Sequence, residues 1–267
     1  MKKFRVSCIQ TNSQSDPESN IRHIKPLIKK AVNNNSDLIC LPECAVIFSD
    51  SLEKLINFNH KKKYFISFFK DISKKNKVFI LLGSIPFRNS DKKFFNRSII
   101  INPKGEIISK YDKKNLFDVF LDKKENYLES KLYDPGKKII NTDLPWGKLG
   151  LSICYDLRFP YLYKKLAQKG SDFFSIPAAF TKTTGEAHWH SLIRTRAIEN
   201  GCFVFAPAQC GVHQNNRETF GHSMIVDPWG QILAEAKNKP TVITAEINIS
   251  SIKDIRRKIP SMTNYDS

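Results

Sequence analysis

Short apolar runs alternate with amphipathic helical segments along nearly the whole chain, and this alternation restricts the fold more than any other feature. "FRVSCIQ" reads as a first strand. "PESNIRHIKPLIKKAVNNN" places Ile21, Ile24, Leu27, Ile28 and Val32 at helical spacing, with Pro26 as a candidate kink. "SDLICLPE" is a short strand running into a proline. "SLEKLINFNHKKKYFISFFKDISKKNK" is helical, in one piece or two. "VFILLGS" is a buried strand, and "RSIIINPKGEIISKY" is a hairpin around Asn-Pro-Lys-Gly. Further on, "PYLYKKLAQKG" is a helix stopped by Gly170, "SDFFSIPAAF" a strand, "EAHWHSLIRTRAIENG" a helix stopped by Gly201, and "CFVFAPAQC" a strand. "GHSMIVDPWGQILAEA" is a second hairpin, "TVITAEINI" a last strand, and "SIKDIRRKIP" a short helix or an arm. The pattern predicts an α/β fold with mixed sheets, organised as one domain over residues 1–267. The longest stretch without a clear element runs from Lys113 to Thr142, and loops of that length in compact domains usually carry function.

Composition narrows the class. No run approaches the roughly 20 apolar residues of a membrane span. The opening "MKKFRVSCIQTN" is broken by Ser7 and Gln10 and does not read as a signal peptide, so the cytoplasm is the expected compartment, with no membrane partner. The cysteines are Cys8, Cys40, Cys44, Cys154, Cys202 and Cys210; most sit in or beside strand-like runs, which fits reduced thiols better than a disulfide framework. No C-x-x-C occurs and the histidines are scattered, so no metal site is expected. The net charge of +17 resides mostly in short lysine clusters such as "HKKKYF" and "DKKEN". No aromatic-basic motif accompanies them, and a solvated surface is expected rather than a specific nucleic-acid partner.

Three strands share one layout: each ends in a reactive side chain. "LICLPEC" leads to Glu43, "IISKYDKKN" to Lys113 and "LSICYD" to Cys154. Strand ends in α/β sheets are where sites collect. An acid, an ammonium and a thiol form a coherent set: a thiol is only a few per cent ionised at neutral pH, a carboxylate can take its proton, and a nearby ammonium favours the negative charge that develops. Taken singly, each has a plainer reading, as solvated charge or as a small packed thiol.

Together, Glu43 in "LPE", Lys113 in "YDKKNLFD" and Cys154 in "GLSICYDLRFP" resemble the Glu-Lys-Cys triad of the nitrilase superfamily of carbon–nitrogen hydrolases. The segments "AAFTKTTGEAHWHSLIRTRAIENG", "APAQCG" and "FGHSMIVDPWG" look most like the branch containing deaminated glutathione amidase, with the ω-amidases acting on 2-oxoglutaramate next. The resemblance implies a four-layer α-β-β-α sandwich. It also implies a homodimer packed through the helices at Pro160 to Gly170 and Ala187 to Asn200, and no metal or organic cofactor. It implies an amide hydrolysis on a small-molecule substrate, in which Glu43 is general base, Cys154 nucleophile, and Lys113 with the backbone N–H of Tyr155 the oxyanion donor. Glu129 in "NYLESKLYDPG" falls where the family places a further glutamate.

Beyond the triad, Arg158 is a candidate for gripping a substrate carboxylate, or else an internal ion-pair partner. Phe180 and Thr181, just past a strand end, are candidate pocket residues. Arg194 and Arg196 read as structural, and His188 and Trp189 as packing near the pocket or the dimer contact. The chain departs from the family pattern at Asn115, where histidine is common, and at His190, where glutamate is common. A carbamoylase or true nitrilase would use the same triad, and a catalytically silent binding module would keep the fold.

Overall fold

The computed structural model describes residues 3–90, 92–121 and 126–261. The first half runs β1 (Lys3–Gln10), α1 (Pro17–Asn33), β2 (Leu38–Cys40), α2 (Leu52–Asn76), β3 (Phe79–Arg88), β4 (Phe94–Ile101), β5 (Ile107–Asp112), β6 (Asp118–Phe120) and β7 (Asn126–Leu128). The second runs β8 (Asn141–Leu144), β9 (Gly147–Leu151), α3 (Pro160–Gln168), β10 (Phe173–Ser175), α4 (Lys182–Asn200), β11 (Phe203–Ala206), β12 (Cys210–Val212), β13 (Glu218–Phe220), β14 (Met224–Val226), β15 (Ile232–Glu235), β16 (Thr241–Asn248) and α5 (Ser250–Lys258). Two six-stranded sheets result, ordered β16–β1–β2–β3–β4–β5 and β15–β14–β11–β10–β9–β8. In each, a parallel trio (β1–β2–β3 and β9–β10–β11) is flanked by antiparallel strands.

The layering follows from the two-residue period of a strand. On β2, Leu38 and Cys40 enter the cluster shared with the second sheet, while Ile39 enters the cluster beneath α1 and α2. The same parity separates Leu81 from Ile80 and Leu82, and Ile100 from Ile99 and Ile101. Both faces are buried, which is why these strands read as continuous apolar runs. Ile24, Ile28, Leu55, Phe58, Phe65 and Phe69 cover the first sheet; Leu162, Leu166, Trp189 and Ile193 cover the second. The result is an α-β-β-α sandwich.

One expectation left open is decided, and two boundaries differ. α2 is one continuous helix, because its central polar run lies mostly on the solvent side. The buried exception, Asn59, donates to Pro86 O (3.2 Å) and accepts from Arg88 N (2.9 Å), docking the helix on the edge of β3. α4 begins at Lys182, ahead of the expected Glu186. Its first turn contains Gly185, where a Cβ would lie 2.4 Å from the Phe220 side chain, so glycine there reports close packing on β13. β10 spans only three residues, since Pro177 cannot extend the ladder.

Candidate active site

Glu43 and Lys113 project from loops of the first sheet, just past β2 and β5; Cys154 lies just past β9 of the second. All three line one cavity of about 560 Å³. Cys154 has φ +47°, a left-handed conformation that a non-glycine residue keeps only where its surroundings enforce it. Its N–H donates to Pro177 O at 2.9 Å. Two residues on, the buried Asp156 carboxylate accepts from Ile153 N (3.0 Å), Tyr111 Oη (2.7 Å), Asn115 N (2.9 Å) and Asn115 Nδ2 (2.8 Å). Tyr111 and Asn115 flank Lys113 by two residues on either side. Asp156 therefore fastens the lysine segment to the turn that carries the thiol. Asn115 acts in that fastening and does not line the cavity.

Buried charges must be paired, and these are. Lys113, 2% exposed, donates to Glu43 Oε1 at 2.9 Å and Glu129 Oε2 at 2.8 Å. Asn96 Nδ2 bridges the same two carboxylates, at 2.9 and 3.0 Å. Glu129 Oε2 also accepts from Phe117 N (2.7 Å) and Glu43 Oε2 from Ala179 N (2.9 Å). The thiol of Cys154 lies close enough to Glu43 for each to shift the other's ionisation. Burial alone would raise the Glu43 pKa, but the Lys113 charge and the hydrogen bonds outweigh it and hold the carboxyl below its ordinary range. Burial, with the Glu43 charge beside it, pushes the Cys154 thiol well up despite Lys113. Burial opposes the Lys113 charge, yet Glu129 and Glu43 raise its pKa well above normal. At rest the site is therefore thiol, carboxylate and ammonium, rather than a preformed thiolate.

The structure thus brings Glu43, Lys113, Cys154 and Glu129 together. The side chains of Tyr155, Arg158, Phe180 and Thr181 are not among the described residues lining the cavity. The turn at Cys154–Arg158 carries Arg158 toward α4: its Nη1 is 3.3 Å from His188 Nδ1, and its guanidinium lies over the rings of Phe180 (5.1 Å) and Tyr155 (6.0 Å). Phe180 packs on Trp189, and Thr181 Oγ1 bonds Thr184 Oγ1 at 2.7 Å at the start of α4. Arg196 is buried, donating to Leu157 O and Glu199, and Arg194 donates to Gly230 O. His190 Nε2 and His222 Nδ1 both meet Glu235 Oε1, at 2.7 and 2.8 Å, so two histidines scattered in sequence converge between α4 and the β14–β15 hairpin.

Asn96 and Arg217 also line the cavity, and neither stood out in the sequence. Asn96 had a signal, an amide inside the apolar run "FFNRSIII" where a polar group needs partners. Arg217 had none, since "QNNRETFG" reads as an exposed turn.

This sandwich, with acid, ammonium and thiol meeting where its two sheets adjoin, defines a class. Residues 5–257 match the carbon-nitrogen hydrolase family. The chain belongs to that family, within the nitrilase superfamily, and is a hydrolase of carbon–nitrogen bonds. It is 39% identical over 267 residues to the deaminated glutathione amidase of Synechocystis sp., with 98% of each chain covered. It is 32% identical over 266 residues to the omega-amidase of Mus musculus, covering 97% of this chain and 94% of that one. The crystal structure of the Caenorhabditis elegans NitFhit protein superposes with a TM-score of 0.94 at 32% identity; the alignment covers 99% of this chain and 65% of that longer one.

Proposed function

We propose that the protein is a cysteine-dependent amidase that cleaves the terminal amide of a small carboxylic acid to acid and ammonia. The observation that carries this reading is the buried Glu43–Lys113 ion pair lining the same cavity as the Cys154 thiol. The raised thiol pKa makes Glu43 the general base: it takes the proton as sulfur attacks the amide carbon. Lys113 has three N–H donors, two directed at carboxylates, so one is left for the oxygen that becomes negative. The backbone N–H of Tyr155 is the second donor of this oxyanion site. Glu43 then passes its proton to nitrogen, and ammonia leaves as the carbon–nitrogen bond breaks. Water, deprotonated by Glu43, attacks the thioester carbonyl; the carboxylic acid departs and the thiol is restored. Glu129 is a positioning residue that holds Lys113 in line.

Similarity to the Synechocystis enzyme favours deaminated glutathione as substrate, and similarity to the mouse enzyme makes 2-oxoglutaramate the second choice. Ammonia release measured on both amides tests this, with the larger kcat/KM expected for deaminated glutathione because remote binding energy adds to the transition state. A larger value for 2-oxoglutaramate reverses the assignment, and carbon dioxide among the products marks a carbamoylase. Ammonia release from neither overturns both substrate assignments, and release from an unrelated amide then leaves the triad standing.

A further inference from the structure

Among the described residues, two cations line the cavity, Lys113 and Arg217. Lys113 is neutralised by two carboxylates. Arg217, immediately before β13, has no carboxylate in salt-bridge contact among the described residues. Its Nη2 donates to Ala179 O at 2.7 Å, and its Nε is shielded from solvent without any hydrogen-bond partner. Three rings surround the guanidinium, with centroids 4.9 Å (Tyr127), 5.4 Å (Phe48) and 5.5 Å (Phe117) from Cζ. The neighbouring Glu218 points its charge elsewhere, to Lys182 Nζ at 3.0 Å.

A guanidinium offers five N–H donors, and this one sits among aromatic faces with no carboxylate in direct contact among the described residues, its charge reaching Glu43 only at longer range. Such an arrangement is costly for folding alone and favourable once an anion arrives. Packed among these rings, the planar fork offers paired donors that suit a carboxylate better than a mobile ammonium would. Ala179 fixes its place relative to the chemistry: the N–H of Ala179 donates to Glu43 Oε2, and its carbonyl accepts from Arg217. A single residue thus spans the base and the guanidinium. We infer that Arg217 receives a carboxylate carried by the substrate away from its scissile amide, and that it makes the site selective for anionic amides. This rests on the amidase reading above and deepens it. The sequence pointed to Arg158 for that task, but Arg158 is engaged with His188 and two rings outside the cavity lining.

The test compares glutaramate, an anionic amide, with valeramide, its neutral counterpart of equal chain length. In Arg217→Met the ratio of kcat/KM for glutaramate over valeramide falls about 100-fold, the scale expected when one partner of a buried charge pair is truncated. Arg217→Lys recovers part of it. The apparent Kd of glutarate, titrated calorimetrically into Cys154→Ala with and without Arg217→Met, weakens in parallel. A ratio within about threefold of the parent, or a ratio that collapses in Arg158→Ala but not in Arg217→Met, overturns the inference. Should the parent release ammonia from neither these two amides nor deaminated glutathione and 2-oxoglutaramate, the amidase reading fails; an unchanged glutarate Kd in Arg217→Met overturns the role of Arg217 separately.

Discussion

At Cys154 a strained backbone and a protonated thiol occur in the same residue, and each has a kinetic consequence. Cys154→Ala keeps the left-handed turn, because Asp156 and its four donors remain, but leaves no nucleophile; ammonia release should fall to background while the Tm stays near the parent value. Near-parent turnover in that variant would exclude covalent catalysis through sulfur. Because Glu43 sits below the usual carboxylate range, it stays ionised as the solution is acidified, so kcat/KM should remain flat from about pH 8 to below pH 5 and fall only when Glu43 protonates. A rate that instead climbs tenfold per pH unit through neutrality would mean that the free thiolate is the reacting species. Lys113→Ala removes the proposed oxyanion donor and also strands the carboxylates of Glu43 and Glu129. We expect kcat to drop by about 10² or more and stability by about 3–5 kcal/mol, read from turnover and urea denaturation of the same variant. A change confined to KM would contradict the assigned role.

The elements that carry these residues are held by close backbone approach. A Cβ at Gly83 of β3 would stand 2.0 Å from Leu41 O and 2.2 Å from Pro42 O, and one at Gly136 would stand 2.1 Å from Asp112 O. Gly83→Ala should therefore push the Glu43 loop away and reduce kcat with little effect on KM, a split that steady-state kinetics reads directly. The β12–β13 hairpin is anchored by buried His213: Nδ1–H donates to Ser13 O at 2.7 Å, Nε2 lies 2.8 Å from Thr219 Oγ1, and the ring stacks on Phe48 at 4.0 Å. Burial lowers its pKa to about 4 in the fold, against about 6.5 in an unfolded chain. Above pH 6.5 both states are neutral and the contribution is complete. Between 6.5 and 4 only the unfolded state takes the proton, so stability declines as pH falls, by up to about 3 kcal/mol. Urea midpoints at pH 7.5 and 5 should show this loss in the parent and a smaller one in His213→Gln. Equal losses would place the acid sensitivity elsewhere. The hairpin also explains what the sequence concealed. Arg217 was illegible because its cage is assembled from positions 48, 117 and 127, far apart in the chain. Arg158 was attractive only because it lies near Cys154 along the chain, whereas the intervening turn directs it to α4.

Across the whole molecule, alternating apolar runs and helical spacings anticipated an α/β fold with mixed sheets, while the four-layer sandwich was implied only by the family resemblance of the Glu43, Lys113 and Cys154 segments. What they could not convey was how loops from opposite sheets meet, because that depends on sheet-to-sheet packing. The family resemblance implies pairing of two copies through α3 and α4, and Tyr161 and Ile198 on those helices are 41% and 46% exposed. Sedimentation should then give twice the 30.7 kDa chain mass, and a value of one chain mass would remove α3 and α4 from that role. The packing of the sheets has one more outcome. Cys8 and Cys40 lie side by side in register on β1 and β2, fully enclosed between the layers. No reagent reaches them until the layers part, whereas Cys44 and Cys154 face the cavity. The chain thus carries an internal stopwatch: under pulsed alkylation, mass gained at Cys8 and Cys40 counts the moments when the two halves of the sandwich come apart, independently of whether the enzyme is turning over.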